Sequence, residues 1–151
     1  MRHPYYEAVL LIERAHRHFL EVVKADLDRL GIQDINNIQA LILYNVGQDE
    51  MTVGELTVRG YYLGSNVSYN VKKMVENGYL LQERSPHDRR SVRVKLSEKG
   101  LTLQKKMAEC FEKQAQTLPS APVTGDELNR MTEILRKLER FWTGMINYGG
   151  G

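Results

Sequence analysis

The sequence predicts a mainly α (α+β) protein, with long amphipathic helices at both ends of the chain and a β-hairpin near its centre. Three observations predict this class. Apolar residues recur at helical spacing near both ends, two short helical segments bounded by glycines lie between them, and a strand-like alternation follows. The composition is ordinary for a globular domain, since 42% of the 151 residues are hydrophobic and 26% are charged. A chain of this length can bury one core without disulfides or a metal.

Two helices are predicted in the first third of the chain. Over residues 5–30 apolar side chains return every three or four positions, which is the spacing of one helical face. Gly31 is suited to end that helix. Asn36 and Gln39 have the spacing of a capping box, so they predict a second helix that ends just before Gly47.

Two shorter helices are predicted in the centre. Thr52 and Glu55 have the capping-box spacing and open a helix that ends near Gly60. Another helix is predicted to begin near Ser65 and to run to residue 77. Gly78 follows it, and its missing side chain suits the left-handed turn at a helix C-terminus.

A β-hairpin is predicted to follow the central helices. Residues 79–84 form the first predicted strand. In residues 92–96, Val and Leu alternate with Arg and Lys, which is the period of a half-buried strand. Residues 85–90 contain turn-forming and charged residues and are predicted to form the tip.

The last third is predicted to contain two long helices. Ser97 caps the first, which runs to about residue 116, and prolines at positions 119 and 122 separate the two. Thr124 and Glu127 form a capping box for the last helix. Its apolar residues advance in steps of three and four, which is the seam of a packed helix pair. That seam consists of Leu128, Met131, Leu135, Leu138, Trp142 and Met145.

The charge distribution indicates where a polyanion would bind. The whole chain carries a formal charge of only +2. Residues 65–96, however, contain seven Lys or Arg and three Asp or Glu, so this segment is +4 and the remainder is −2. A local basic patch on a near-neutral protein is typical of phosphate binding.

Two short helices followed by a basic hairpin predict a winged helix-turn-helix. The second helix would enter the DNA major groove, where its N-terminal half can reach base edges. An arginine on the hairpin tip can enter the narrow minor groove, and Asp88 is placed to orient Arg90 by charge-assisted hydrogen bonds. The predicted DNA-binding residues are Ser65, Asn66, Ser68, Tyr69, Lys72, Lys73, His87, Asp88, Arg89 and Arg90. Tyr69 and Asn70 are also compatible with packing into the domain.

The wing sequence resembles that of the MarR family (multiple antibiotic resistance regulators). Asp88-Arg89-Arg90-Ser91 is followed by an alternating strand ending in Leu96 and then by Ser97-Glu98-Lys99-Gly100, which is similar to the family's wing signature. Residues 75–80 resemble the family's exit from the recognition helix. The resemblance implies a homodimer that binds a palindromic DNA operator, often under the control of a small ligand.

Both terminal regions are predicted to mediate dimerisation. Phe141, Trp142 and Met145 lie near a chain end, beyond a proline-containing break, where one small domain cannot easily bury them. We expect residues 1–151 to form one unit in which residues 5–46 and 97–148 are a helical dimerisation region. Residues 47–96 would then be the winged helix-turn-helix lobe. The first helix would contribute Tyr5, Val9 and Ile12 to the same interface.

A small-molecule effector is a further expectation. Tyrosines combine an apolar body with a hydroxyl, which suits aromatic ligands, and cations on the first helix suit anionic ones. The candidate ligand residues are Tyr44, Tyr61, Tyr62, His16 and Arg17. These tyrosines are also compatible with an ordinary packed helix junction, and the cations with a solvated face.

Other classes of protein find little support in the sequence. No P-loop or Gly-x-Ser-x-Gly elbow is present, so an enzyme is not predicted. His16 and His18 diverge on a helix, and no cofactor or metal is expected.

With one cysteine, Cys110, no signal sequence and no long apolar run, we expect a cytoplasmic protein that does not bind membranes. The open alternatives are a dimeric adaptor that binds only protein, and a DNA-binding protein without ligand control.

Overall fold

In a computed structural model of the protein, residues 2–60, 64–84, 87 and 92–148 are described, with the backbone alone at positions 64, 65 and 148. These residues form helices in the predicted order, with a short three-stranded sheet in the middle. The helices and strands are α1 Pro4–Arg29, α2 Asn37–Val46, β1 Met51–Thr52, α3 Val53–Gly60, α4 Gly64–Glu76, β2 Leu80–Arg84, β3 Val92–Leu96, α5 Glu98–Thr117 and α6 Gly125–Tyr148.

The chain divides into two compact units, residues 1–110 and 111–151. The first contains the sheet, α1 to α4 and the first part of α5. The second contains the end of α5, a 3-10 turn at Leu118–Ser120 and α6. Among the described residues, no helix is both long and apolar enough to cross a membrane.

The predicted helix caps are present. The side-chain oxygen of Asn36 accepts from the backbone N–H of Gln39 at 2.8 Å, and the backbone N–H of Asn36 donates to Gln39 Oε1 at 3.1 Å. Thr124 and Glu127 make the same reciprocal pair at 3.1 and 3.0 Å. Gly78 has a φ of +84°, the left-handed conformation expected at the C-terminus of α4.

The sheet has one strand more than the sequence predicted. Its order is β1-β3-β2, and both pairings are antiparallel. The additional strand contributes only Met51 and Thr52, which pair with Val94 and Arg93. Two residues are too few to show an alternation, so the pattern of strand β1 could not be detected in the sequence. The alternation predicted for β3 is present in residues 94–96, where Val94 and Leu96 are buried and Lys95 is exposed, whereas Val92 and Arg93 are both half-buried.

The core of the first unit is arranged around α2. Its residues Ile42, Leu43 and Val46 are at most 1% exposed. The sheet and helices α1, α3, α4 and α5 each add buried apolar side chains, so α2 is the helix against which the other elements of this unit pack. These side chains include Val23 and Leu27 of α1, Leu56 of α3, Val67, Val71 and Met74 of α4, Leu80 and Val94 of the sheet, and Leu103 and Met107 of α5.

The base of the hairpin is fixed to the first turn of α5. The carbonyl oxygen of Tyr79 accepts from the backbone N–H of Ser97 at 3.0 Å. The Ser97 hydroxyl donates to the carbonyl of Gly78 at 2.5 Å and accepts from the backbone N–H of Gly100 at 3.1 Å. Any Cβ at position 100 would overlap the carbonyl oxygen of Tyr79. Ser97 and Gly100 therefore hold α5 directly against the start of strand β2.

Candidate nucleic-acid interface

Helix α4 separates its side chains into a buried and an exposed face. Val67, Val71 and Met74 are at most 4% exposed and point into the core. At about 100° of rotation per residue, the remaining positions of this helix face away from the core. The exposed residues on this face are Asn66, Ser68, Tyr69, Lys72, Lys73 and Glu76. The side chain of Ser65, also predicted to bind DNA, is outside the described residues.

Tyr69 lies near the middle of the exposed face. Its side chain is 61% exposed, the largest value for a hydrophobic residue of α4 among those the structure describes. The ammonium of Lys73 lies 5.9 Å from the centre of the Tyr69 ring, within the range of a cation–π interaction. Lys73 Nζ is also 3.6 Å from a carboxylate oxygen of Glu76. This face therefore combines an aromatic ring, small polar groups and two cations, which can contact base edges and phosphates.

Asn70 belongs to the junction between α4 and α2 rather than to the exposed face. Its side-chain oxygen accepts from Gln39 Nε2 at 3.1 Å, and its side-chain amide donates to the carbonyl of Asn66 at 2.9 Å. Gln39 is only 7% exposed. The sequence predicted Gln39 as a helix cap but gave no indication of this second contact, which spans 31 positions.

The hairpin arms extend from the core with exposed polar side chains. In strand β2 only Leu80 is buried, and residues 81–84 are exposed. Arg93 of β3 lies 3.4 Å from Glu50, which precedes β1. His87 is exposed. The predicted wing residues Asp88, Arg89 and Arg90 lie outside the described residues, so their role stays a prediction.

A polar cluster joins the exit of α4 to α5. Asp34, in the loop after α1, accepts from Lys99 Nζ at 2.6 Å and from the Tyr79 hydroxyl at 2.5 Å. The ammonium of Lys99 also donates to the carbonyl of Asn77 at 2.9 Å and lies 4.3 Å from the centre of the Tyr79 ring. The side chain of Asn77 donates to the carbonyl of Asp34 at 2.8 Å. We call Asp34, Asn77, Tyr79 and Lys99 the exit cluster.

Electrostatics within the exit cluster favour a charged Asp34 and a neutral Tyr79. Hydrogen bonds from Lys99 and Tyr79 lower the pKa of the Asp34 carboxyl. Burial, followed by the hydrogen bond to Asp34, raises the pKa of the Tyr79 hydroxyl. The sequence did not reveal this cluster, because its hydrogen-bonded pairs are 22 to 65 positions apart.

The two predicted dimerisation helices expose large apolar side chains in the single chain. On α1, Tyr5 is exposed, and Val9 and Ile12 are half-buried. On α6, Met131 and Met145 are exposed, whereas Leu128, Leu135, Leu138 and Trp142 are half-buried. The predicted sets omitted further exposed apolar residues beside them, which are Tyr6, Leu10 and Leu11 on α1 and Ile134 and Ile146 on α6.

The described residues of the predicted ligand site lie on two helices. His16 and Arg17 are exposed on α1, and Arg17 pairs with Glu13. Tyr44 is 37% exposed on α2. Tyr61 and Tyr62 lie outside the described residues. A depression of about 380 Å³ at the end of α1 is lined by Lys24, Leu27 and Asn36 among others, and by none of the predicted ligand residues.

The described part of the chain provides no support for a metal site or a disulfide. No group of three or more His, Cys, Asp or Glu side chains there could hold a metal ion. Cys110 is half-buried on α5 and is not disulfide-bonded.

The fold and the exposed face of α4 together define a winged-helix DNA-binding protein. Comparison with family models supports this class, because residues 35–100 match the model described as a winged helix DNA-binding domain. The match extends from just before α2 to the first turn of α5. It therefore includes the recognition helix, both hairpin strands and the Ser97–Gly100 junction.

Known proteins identify the family. The exopolysaccharide II synthesis transcriptional activator ExpG of Rhizobium meliloti (strain 1021) is 35% identical over 145 residues, covering 96% of this chain and 75% of that protein. A MarR transcriptional regulator from Methanosarcina mazei Go1 has a TM-score of 0.75 at 19% identity, covering 91% of this chain and 98% of its own. A mutant MarR from E. coli complexed with operator DNA has a TM-score of 0.72 at 19% identity, covering 91% and 99%.

The chain belongs to the MarR family of winged-helix transcriptional regulators. Three predictions are thereby confirmed: the winged helix-turn-helix fold with long terminal helices, the DNA-binding regulatory function, and the assignment to regulators rather than enzymes. The homodimer, the effector and the individual site residues stay predictions.

Proposed function

We propose that this regulator acts in the cytoplasm as a homodimer that binds a palindromic operator. Each subunit would place α4 in the major groove and the hairpin tip in the adjacent minor groove. One observation carries this proposal: Tyr69, Lys72 and Lys73 all lie on the face of α4 opposite the buried Val67, Val71 and Met74. That arrangement presents cations and polar groups outward from a helix that is fixed on its other side.

Homodimerisation is supported by the apolar surface of α1 and α6. Leu10 and Leu11 of α1 are 63% and 51% exposed, and Phe141 and Ile146 of α6 are 55% and 62% exposed. Large apolar side chains clustered on a helix face mark an interaction site. A second copy of the chain is the proposed partner, because palindromic DNA requires two recognition helices about 34–36 Å apart. In this arrangement residues 5–46 and 97–148 form the dimerisation region and residues 47–96 the DNA-binding lobe.

A small effector could act on such a dimer by changing the distance between its two α4 helices. This mechanism requires only that the effector bind one dimer conformation more tightly than the other. The candidate site comprises His16, Arg17 and Tyr44, together with Tyr61 and Tyr62, and its charge and aromatic character favour an aromatic or anionic compound. If bound and free dimers were found with the same spacing of the α4 helices, this mechanism would be excluded.

The direction of regulation depends on where the operator lies relative to a promoter. The relative from Rhizobium meliloti is a transcriptional activator, so activation is the first outcome to test. A reporter placed behind the operator-containing promoter should lose expression when the regulator is deleted. A gain of expression would instead establish repression.

Selection from a library of random DNA duplexes tests the proposed function. The purified full-length chain should enrich an inverted-repeat sequence and bind it as two chains per duplex. Binding should weaken steeply with added salt, because displaced counterions make the affinity depend on the number of phosphate contacts. A dimeric adaptor without DNA-binding activity would enrich no sequence and show no duplex binding even at low salt.

A further inference from the structure

The contact between Gln39 and Asn70 gives the recognition helix a directional support. The apolar face of α4 holds it against the core, but hydrophobic contact is non-directional and restrains rotation weakly. The hydrogen bond from Gln39 Nε2 to Asn70 Oδ1 is 3.1 Å long and joins α2 to α4. Asn70 lies about 60° around the helix axis from Val67, at the border between the buried and exposed faces.

Gln39 is itself held in place from its other side. Its Oε1 accepts from the backbone N–H of Asn36, and its own backbone N–H donates to Asn36 Oδ1. The next residue, Asn37, donates from its side chain to the carbonyl of Leu20 in α1 at 3.0 Å. The N-terminus of α2 is therefore anchored to α1 while it holds α4.

The amide orientations along this path are determined by the partners. Oε1 of Gln39 faces a backbone donor, so its Nε2 must face Asn70 and its partner there must be an oxygen. The remaining Nδ2 of Asn70 then faces the carbonyl of Asn66, one turn earlier in α4. Each of these groups is satisfied in one arrangement only, because an amide presents one acceptor and one donor group.

We infer that Gln39 is a positioning residue for DNA sequence recognition, since it sets the rotation of α4 about its own axis without touching DNA. This inference rests on the proposed function. With side chains reaching about 5–6 Å from the axis, a rotation of about 10° displaces their tips by about 1 Å. Such a displacement disrupts hydrogen bonds to base edges, whereas flexible lysines can still reach phosphates.

Two substitutions break the contact from opposite sides. In Gln39→Met the side chain keeps its approximate length but carries no donor, so it cannot hydrogen-bond to Asn70, while the side chain of Asn36 still caps the backbone N–H of residue 39. Asn70→Ala removes the acceptor on α4, and alanine is a favourable helix residue. Met107→Ala is the control, because Met107 is buried at 4% exposure on α5, outside the hydrogen bonds that join α1, α2 and α4, and its truncation destabilises the fold.

The experiment compares affinity for the duplex that the wild-type chain selects with affinity for a scrambled duplex of the same composition. In both variants the ratio of affinity for the selected duplex to affinity for the scrambled duplex should fall about tenfold or more. The salt dependence of binding to scrambled DNA should stay as in the wild type. The double variant should show no further loss of this ratio, because both substitutions remove the same contact. Met107→Ala should lower the melting temperature and leave the ratio unchanged. An unchanged ratio in Gln39→Met would overturn the inference, even if Asn70→Ala lost affinity through a direct base contact. If the wild-type chain selected no duplex, the proposed function would fail, and with it the inference.

Discussion

Gly100 lies so close to the carbonyl oxygen of Tyr79 that no side chain can be accommodated between α5 and the start of β2. The same carbonyl accepts a hydrogen bond from the backbone of Ser97. The glycine in the wing signature is thus required by a close approach of two backbones within this chain. Even alanine at position 100 should therefore lower the free energy of unfolding.

Gly100→Ala should lower the free energy of unfolding by at least about 2 kcal/mol, because the new methyl group must displace α5 or β2. Gly125→Ala is the control, since a Cβ at that position meets no atom within 4 Å. It should change stability by less than about 0.5 kcal/mol. Urea denaturation of both variants measures the difference. Equal stability of the two would contradict the close approach.

Asp34→Asn should reduce the pH dependence of stability in acid. The pKa of Asp34 is lowered in the folded chain by hydrogen bonds from Lys99 and Tyr79. Its carboxylate therefore stabilises the fold above the unfolded pKa, and this contribution is lost as the pH falls through the lower folded pKa. Thermal melting between pH 2 and about pH 6 should show a smaller decline for Asp34→Asn than for the wild type.

Asp28→Asn provides the comparison for that measurement, since Asp28 is an exposed carboxylate on α1 outside the exit cluster. It should retain the wild-type decline in acid. If Asp34→Asn and Asp28→Asn had the same pH profile, the exit cluster would not be the origin of the acid sensitivity.

Lys72→Ala should weaken binding to all duplexes by a similar factor and reduce the slope of log affinity against log salt by about two, because the dimer loses one phosphate contact from each subunit. The side chain is exposed on α4, where it can neutralise one phosphate per subunit. Lys24→Ala, which removes an exposed cation from α1, should leave the slope unchanged. Titrations at several salt concentrations measure both. A loss confined to the selected sequence would indicate base recognition by Lys72 instead.

Arg90→Ala should cost about 1–3 kcal/mol in binding to the selected duplex, because an arginine in the minor groove responds to its width and potential. Arg136→Ala on α6 removes an exposed arginine from outside the DNA-binding lobe and should have little effect. Fluorescence anisotropy with the selected duplex gives both affinities. Equal affinity of Arg90→Ala and the wild type would refute the wing assignment.

Phe141→Glu should convert the dimer into a monomer. Phe141 is 55% exposed in the single chain, and a carboxylate in its place would be buried without a partner in the dimer. Arg140→Glu, one position earlier and also exposed, introduces the same residue as a control. Sedimentation velocity separates the two forms. A dimeric Phe141→Glu protein would exclude this part of α6 from the interface.

Local sequence signals were sufficient for most helix boundaries. The caps at Asn36 and Thr124 involve residues three positions apart, so their geometry follows from short-range chemistry. The two-residue strand at Met51 has no such signal, because it forms only when β3 is alongside it. The wing signature includes Gly100 but does not indicate that its backbone lies against the carbonyl of Tyr79.

The candidate interface was predictable where exposure follows from helical periodicity. Tyr69 and Lys72 were predicted to contact DNA, and the structure exposes both on α4. Contacts between distant residues could not be predicted in this way. Gln39 meets Asn70 only after α2 and α4 have packed, and Asp34 meets Lys99 across 65 positions. The residue pattern thus indicated which side chains face outward. The contacts that orient their helices depend on tertiary packing.

The hydrogen bond between Tyr79 and Ser97 closes residues 80–96 into a loop whose two ends are fixed independently of its tip. Changing the length of such a loop carries only a small entropic cost, roughly 0.6 kcal/mol for each doubling. Insertions or deletions at the tip should therefore leave the helices undisturbed, whereas a shift of one residue at the base would misplace both Ser97 and Gly100. Evolution can vary the reach of the hairpin as a separate module, and protein engineers can exchange it between regulators at the same two anchor points.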